Sequence, residues 1–158
     1  MLLSDRRGFL LAALALAGCG FVPVHGSNSK SQIFRNAVLV QAPKNRVEFE
    51  LVRNLEVLLG PVTAKRYDLR YTLKVDEQVI VVSAAQQIDR FSLVGKLNFS
   101  LMDNDGVVIL SKTAKSFTGY SATGTTVATE RSKRDAYDRL MVILAKQVSN
   151  YIWTVDRI

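Results

Sequence analysis

Two periods of hydrophobic and polar positions run through this chain, and they predict its elements. Tyr67, Leu69, Tyr71, Leu73 and Val75 alternate with Asp68, Arg70, Thr72 and Lys74, the two-residue period of a strand with one dry and one wet face. Asp76-Glu77-Gln78 interrupts the alternation, and Val79-Ile80-Val81-Val82 resumes it, either across a bulge or as a separate short strand. Leu93, Gly95, Leu97, Phe99 and Leu101 alternate with Val94, Lys96, Asn98 and Ser100. Asn104-Asp105-Gly106 then supplies turn residues, so Leu93 to Met102 and Val107 to Tyr120 should pair as an antiparallel hairpin. The apolar stretch Ala37-Val38-Leu39-Val40 predicts a buried first strand within 33–42.

The second period is helical. Val47, Leu51, Leu55 and Leu58 recur at three- and four-residue steps over about 46–59. Asn45 with Glu48 predicts the N-cap, and Gly60-Pro61 the stop. Ala136, Leu140, Leu144, Val148 and Ile152 line a final helix from about Thr129 to Trp153, preceded by a Gly/Ser/Thr-rich loop over 119–127. Glu130 with Arg134 and Asp135 with Arg139 add acid-before-base spacings on its outer surface. The order β-α-β-β-β-α predicts an α+β domain: a four-stranded mixed or antiparallel sheet with two amphipathic helices packed on one face. The other face would present Arg70, Thr72, Lys74, Lys96, Asn98 and Ser100, with Lys112 and Lys115 on the last strand; such a face is either simply wet or meets a polar partner.

The first 32 residues follow neither period. Arg6 and Arg7 precede an apolar run from Phe9 to Ala17, and Leu16-Ala17-Gly18-Cys19 closes it with small residues and the chain's one cysteine. This is the pattern of a lipoprotein signal: residues 1–18 as leader, the Cys19 thiol as the site of acylation, and residues 19–32, rich in Gly and Ser, as a flexible tether to a domain over 33–158. An ordinary signal peptide, a short anchor or a free thiol are the other readings of the segment. A spanning helix is disfavoured because it needs about 20 apolar residues. Asp5-Arg6-Arg7-Gly8-Phe9-Leu10 is also similar to a twin-arginine export signal, which leaves the export route open.

Charge narrows the partners. The chain holds 21 basic and 14 acidic residues; cleavage before Cys19 removes Asp5, Arg6 and Arg7, leaving 19 and 13, a formal +6. A basic balance suits an anionic partner or a solvated surface. For an exported protein, phosphate-bearing lipids are at hand and nucleic acid is not, so no nucleic-acid partner is expected. Catalytic groups are sparse. The single histidine, His25, lies in the tether, which disfavours a His-based triad, and a His/Cys metal site would need the thiol expected to be acylated. Asp103 and Asp105 flank a turn, where short polar side chains serve the backbone, and Ser132-Lys133 are neighbours that diverge on a helix. The chain is therefore expected to be non-catalytic, with no cofactor and no metal.

Cys19-Gly20-Phe21-Val22-Pro23-Val24-His25-Gly26 resembles the opening of the LPS-assembly lipoprotein family LptE in its alphaproteobacterial form, with His25 where an aromatic is more usual. Tyr120-Ser121-Ala122, the stretch Ala128 to Leu140 and Leu144-Ala145-Lys146-Gln147-Val148 resemble its loop and last helix. The resemblance implies a lipid-anchored protein at the periplasmic face of the outer membrane. It further implies a plug that assists assembly of an LptD-type β-barrel and binds lipopolysaccharide in transit. Charge and strand placement then offer Arg90, Lys96, Lys112 and Lys115 as contacts to lipopolysaccharide phosphates. The competing assignment is an auxiliary lipoprotein of an ABC-type envelope lipid transport system.

Overall fold

The computed structural model describes residues 31–82, 88–122 and 124–155; the leader, Cys19, His25 and most of the tether lie outside the described residues. Its elements are α1 (Ser31–Phe34), β1 (Val38–Val40), α2 (Arg46–Leu59), β2 (Tyr67–Val82), β3 (Ile88–Asp103), β4 (Val108–Ser121) and α3 (Thr126–Trp153). The fold is α+β. One mixed sheet has the order β1-β2-β3-β4, with β1 parallel to β2 and the other pairs antiparallel.

The strands alternate as their sequences dictate. Tyr67, Leu69, Tyr71, Leu93, Leu97, Phe99, Leu101, Ala114 and Tyr120 are buried on one face, beneath Leu51, Leu55 and Leu59 of α2 and Leu140, Leu144, Val148 and Ile152 of α3. Residues 76–82 continue β2, with register shifts between Val79 and Val82 where the strand bulges. Gly95 lies where α3 comes closest: a Cβ there would stand 3.0–3.2 Å from methyls of Leu140 and Leu144. A Cβ there would require those methyls to give by a few tenths of an ångström.

Local chemistry closes the ends. The Glu48 amide donates to Asn45 Oδ1 (2.9 Å), and the Glu48 carboxylate accepts from the Lys44 amide (2.8 Å), one residue before the N-cap. That carboxylate also accepts from the Tyr71 hydroxyl (3.3 Å), pinning the start of α2 to the sheet. Burial, then the Glu48 charge and hydrogen bond, push the Tyr71 hydroxyl up to about 12. At the other end of α2, Gly60 has φ 84°, and a Cβ there would fall 1.9 Å from Asn36 Oδ1, so only glycine fits. The Asp103 carboxylate accepts from the Asp105 and Val107 amides (3.0 and 2.8 Å), which assigns it to the β3–β4 turn.

Five boundaries differ from the sequence reading, one being the start of β3 at Ile88 rather than Leu93. Residues 31–34 form a helical turn rather than tether and strand, because Phe34 buries fully and its ring meets Tyr67 at 5.1 Å. The first strand shrinks to three residues. β4 runs to Ser121, one residue past the expected strand Val107 to Tyr120 and into the stretch that its Gly/Ser/Thr content also marked as loop, and α3 starts at Thr126, capped by Thr125, whose Oγ1 accepts from the Ala128 amide (3.3 Å). On α3, Arg139 turns away from Asp135 and donates to the Gly119 carbonyl (3.1 Å).

Candidate functional site

The sheet face turned away from the helices is built by the even residues of β2 and β3 and the odd residues of β4. Register places them in transverse rows: Arg70, Ser100 and Ser111; Thr72, Asn98 and Thr113; Lys74, Lys96 and Lys115; Asp76, Val94 and Phe117. The first two rows bound a shallow groove of about 320 Å³ lined by Arg70, Thr72, Asn98, Ser100 and Ser111. Within it Thr113 donates to Asn98 Oδ1 (2.8 Å).

The third row is three lysines wide. Like charges directly opposite each other on neighbouring strands repel, so this arrangement costs stability unless something anionic lies over it. The Lys115 carbonyl is turned away from β3 and accepts from Gln147 of α3 (3.2 Å), which makes Lys96 and Lys115 the narrow kind of antiparallel pair, with Cα atoms about 4.5 Å apart. Lys74 is partly offset by Asp76 (3.3 Å), an exposed pair on the same strand. Lys96 and Lys115 make no ion pair among the described residues, and all three side chains are exposed. A phosphate or carboxylate over the row would receive charge-assisted hydrogen bonds from ammonium groups already brought together.

The four basic positions expected to act together do not. Lys96 and Lys115 share the row. Lys112 lies opposite Phe99, whose ring meets Tyr151 of α3 at 6.0 Å, so Lys112 belongs to the helix side of the sheet at its free edge. Residues 112 and 115 are an odd number apart on a strand and therefore point to opposite faces. Arg90 pairs with Ser121, six positions along β3 from Lys96 and so about 20 Å away. Lys74 and Arg70 complete the basic face; their wet-face alternation was visible, but their alignment with Lys96 depended on strand register.

At that far end a second group ties α3 to the sheet. The Tyr120 hydroxyl and Lys133 (Nζ, 2.7 Å) both bond to the Glu77 carboxylate, and the Phe91 and Tyr120 rings stack at 5.1 Å. Partial burial opposes charge on Glu77, but the hydrogen bonds from Lys133 and Tyr120, with the Lys133 charge, hold its carboxyl below the usual value. The same bonds raise Lys133 against the opposing effect of burial. Burial, then Glu77, raises Tyr120.

No protein-family model matches the chain, and no curated protein matches it in sequence. Solved structures do match. A candidate lipoprotein from Caulobacter crescentus CB15 superposes with a TM-score of 0.64 at 18% identity, covering 78% of this chain and 93% of that one. An uncharacterized lipoprotein B from Nitrosomonas europaea gives 0.61 at 12%, covering 84% and 91%. The rare lipoprotein B from Shewanella oneidensis gives 0.57 at 9%, covering 73% and 91%. The domain thus has a fold found in small bacterial lipoproteins.

Proposed function

We propose that this protein is an LptE-like lipoprotein, anchored through acylated Cys19 at the periplasmic face of the outer membrane, that binds lipopolysaccharide and assists an LptD-type β-barrel. The observation that supports binding is the Lys74–Lys96–Lys115 row on a wet sheet face with no helix over it among the described residues. The shared lipoprotein fold and the resemblance of the Cys19 segment and last helix to the LptE family support the anchor and the partner. The role is binding rather than catalysis. Phosphates on the glycolipid meet the lysines, and the hydroxyl and amide side chains of the adjoining groove meet its sugars.

The test has two parts. Lipidated protein purified from outer membranes is expected to bring a large β-barrel with it; capture of an inner-membrane permease instead would assign the chain to an ABC-type lipid transport system. Purified wild type is expected to bind lipopolysaccharide, and replacing Lys74, Lys96 and Lys115 together by Gln to weaken binding by at least about tenfold, the equivalent of 1.4 kcal/mol. Unchanged affinity in that variant rejects the row as the contact surface.

A further inference from the structure

The last strand leaves one border of the sheet without a neighbour. β4 pairs with β3 on one side and ends the order β1-β2-β3-β4, so every second residue turns its N–H and C=O outward. The bond from Gln147 to the Lys115 carbonyl shows which set this is, and two-residue steps carry it to Thr113 and Ser111. The outward amides and carbonyls of Ser111 and Thr113 have no backbone partner among the described residues. Beside them, between β4 and the last turns of α3, runs a groove of about 810 Å³ lined by Thr113, Lys115, Gln147, Asn150, Tyr151 and Thr154. Charge decides what this border accepts. β4 carries Lys112 and Lys115 and no acidic residue. Lys112 belongs to the helix side and Lys115 to the open face, so a cation flanks the border on each face, and neither makes an ion pair among the described residues. A second copy of β4 laid along it would bring two more lysines and no carboxylate, which is repulsive.

We propose that this border takes up an extended acidic segment of a partner polypeptide as a further strand of the sheet. Main-chain bonds to Ser111 and Thr113 hold the segment, and the side chains on its two faces select it. A carboxylate opposite Lys112 lies on the helix side. The adjoining residue of the segment faces the other way, opposite Thr113, and a carboxylate there reaches Lys115 on the diagonal. That second carboxylate also stands at the end of the lysine row and relieves repulsion that the free protein carries. The segment therefore needs two acidic residues in succession within a β-prone stretch. Gln147 already occupies the Lys115 carbonyl, so the added strand runs from Thr113 toward the β3–β4 turn. The inference does not depend on lipopolysaccharide binding.

The full-length protein in a non-ionic detergent is titrated with a fluorescent peptide of sequence Val-Thr-Val-Asp-Glu-Val-Thr, and amide hydrogen exchange is followed at Ser111 and Thr113. Saturable binding is expected, with exchange slowed at both amides. Replacing Asp-Glu in the peptide by Asn-Gln is expected to weaken binding by about tenfold, as two cross-strand ion pairs are lost. N-methylation of one alternate set of peptide amides should abolish binding and of the other set leave it intact, because only every second amide faces β4. Lys112→Glu is expected to weaken the titration by about tenfold, and Lys74→Gln, at the other end of the row, to leave it unchanged, which keeps this test separate from that of the lysine row. Equal effects of the two N-methyl sets, or unaltered exchange at Ser111 and Thr113 on binding, would assign the peptide to surface charge alone and overturn the proposal. Protection of those amides in the free protein that grows with its concentration would give the border to a second copy and overturn it as well.

Discussion

The two faces of one sheet obey different rules although they share every strand. On the covered face each row must fit a helix surface, so Leu69, Leu97 and Leu101 are sealed under α2 and α3, and Gly95 yields its side chain to let α3 approach. On the open face no such fit is demanded, and the residues next to those leucines are Arg70, Lys96 and Ser100. Packing explains the first set completely. It does not explain why three lysines align, which is the less stable choice for a face that is merely wet.

Substitutions at adjacent positions test this contrast most strongly. Leu97→Ala is expected to cost about 2–5 kcal/mol in chemical denaturation, because it empties a site enclosed by both layers. Asn98→Ala, the next residue, should stay within about 0.5 kcal/mol beyond the loss of its bond with Thr113. Comparable losses at both sites would mean that the open face is packed against something in the free protein.

The next effect concerns the Glu77 cluster, where the covered face meets α3. Tyr120→Phe is expected to cost about 1 kcal/mol at neutral pH. Glu77 is held below its unfolded value, so its contribution is present above the unfolded pKa of about 4.5 and is lost as pH falls through the lower folded value. The stability curves of wild type and Glu77→Gln should therefore diverge at neutral pH and converge in acid below that value. Parallel curves throughout would show that Glu77 is not coupled to folding.

The smallest effect has the opposite sign. Lys96→Met removes the central charge of the row and is expected to leave stability unchanged or raise it by about 0.2–1 kcal/mol, with the gain shrinking as salt is added. A clear loss of stability would indicate that Lys96 serves the fold and not a ligand.

Much of the architecture was legible because periodicity reports burial directly. The helix 46–59, its Asn45 cap and the β3–β4 hairpin follow from spacing and turn residues alone. The helical turn at 31–34 was not legible and the end of β4 only in part, because tertiary contacts override local propensity there: Phe34 finds Tyr67, and Gly119 hands its carbonyl to Arg139. Only half of the site was legible. Alternation identifies which residues of one strand face water, but the coincidence of Lys74, Lys96 and Lys115 requires the register between three strands. Lys112 was separable without register: it stands three residues from Lys115, an odd step that puts the two on opposite faces, and its neighbour across the ladder is Phe99.

The two side chains that α3 extends to β4 have a bearing on how this molecule meets its own kind. Arg139 and Gln147 cap the carbonyls of Gly119 and Lys115, so a foreign strand approaching that half of the sheet border finds two of its acceptors already taken. From Val108 to Thr113 the border has no such guard among the described residues. Along this border, chain-to-chain zippering is thereby directed to the half beside the β3–β4 turn, where the exposed Lys112 supplies the charge that discourages it.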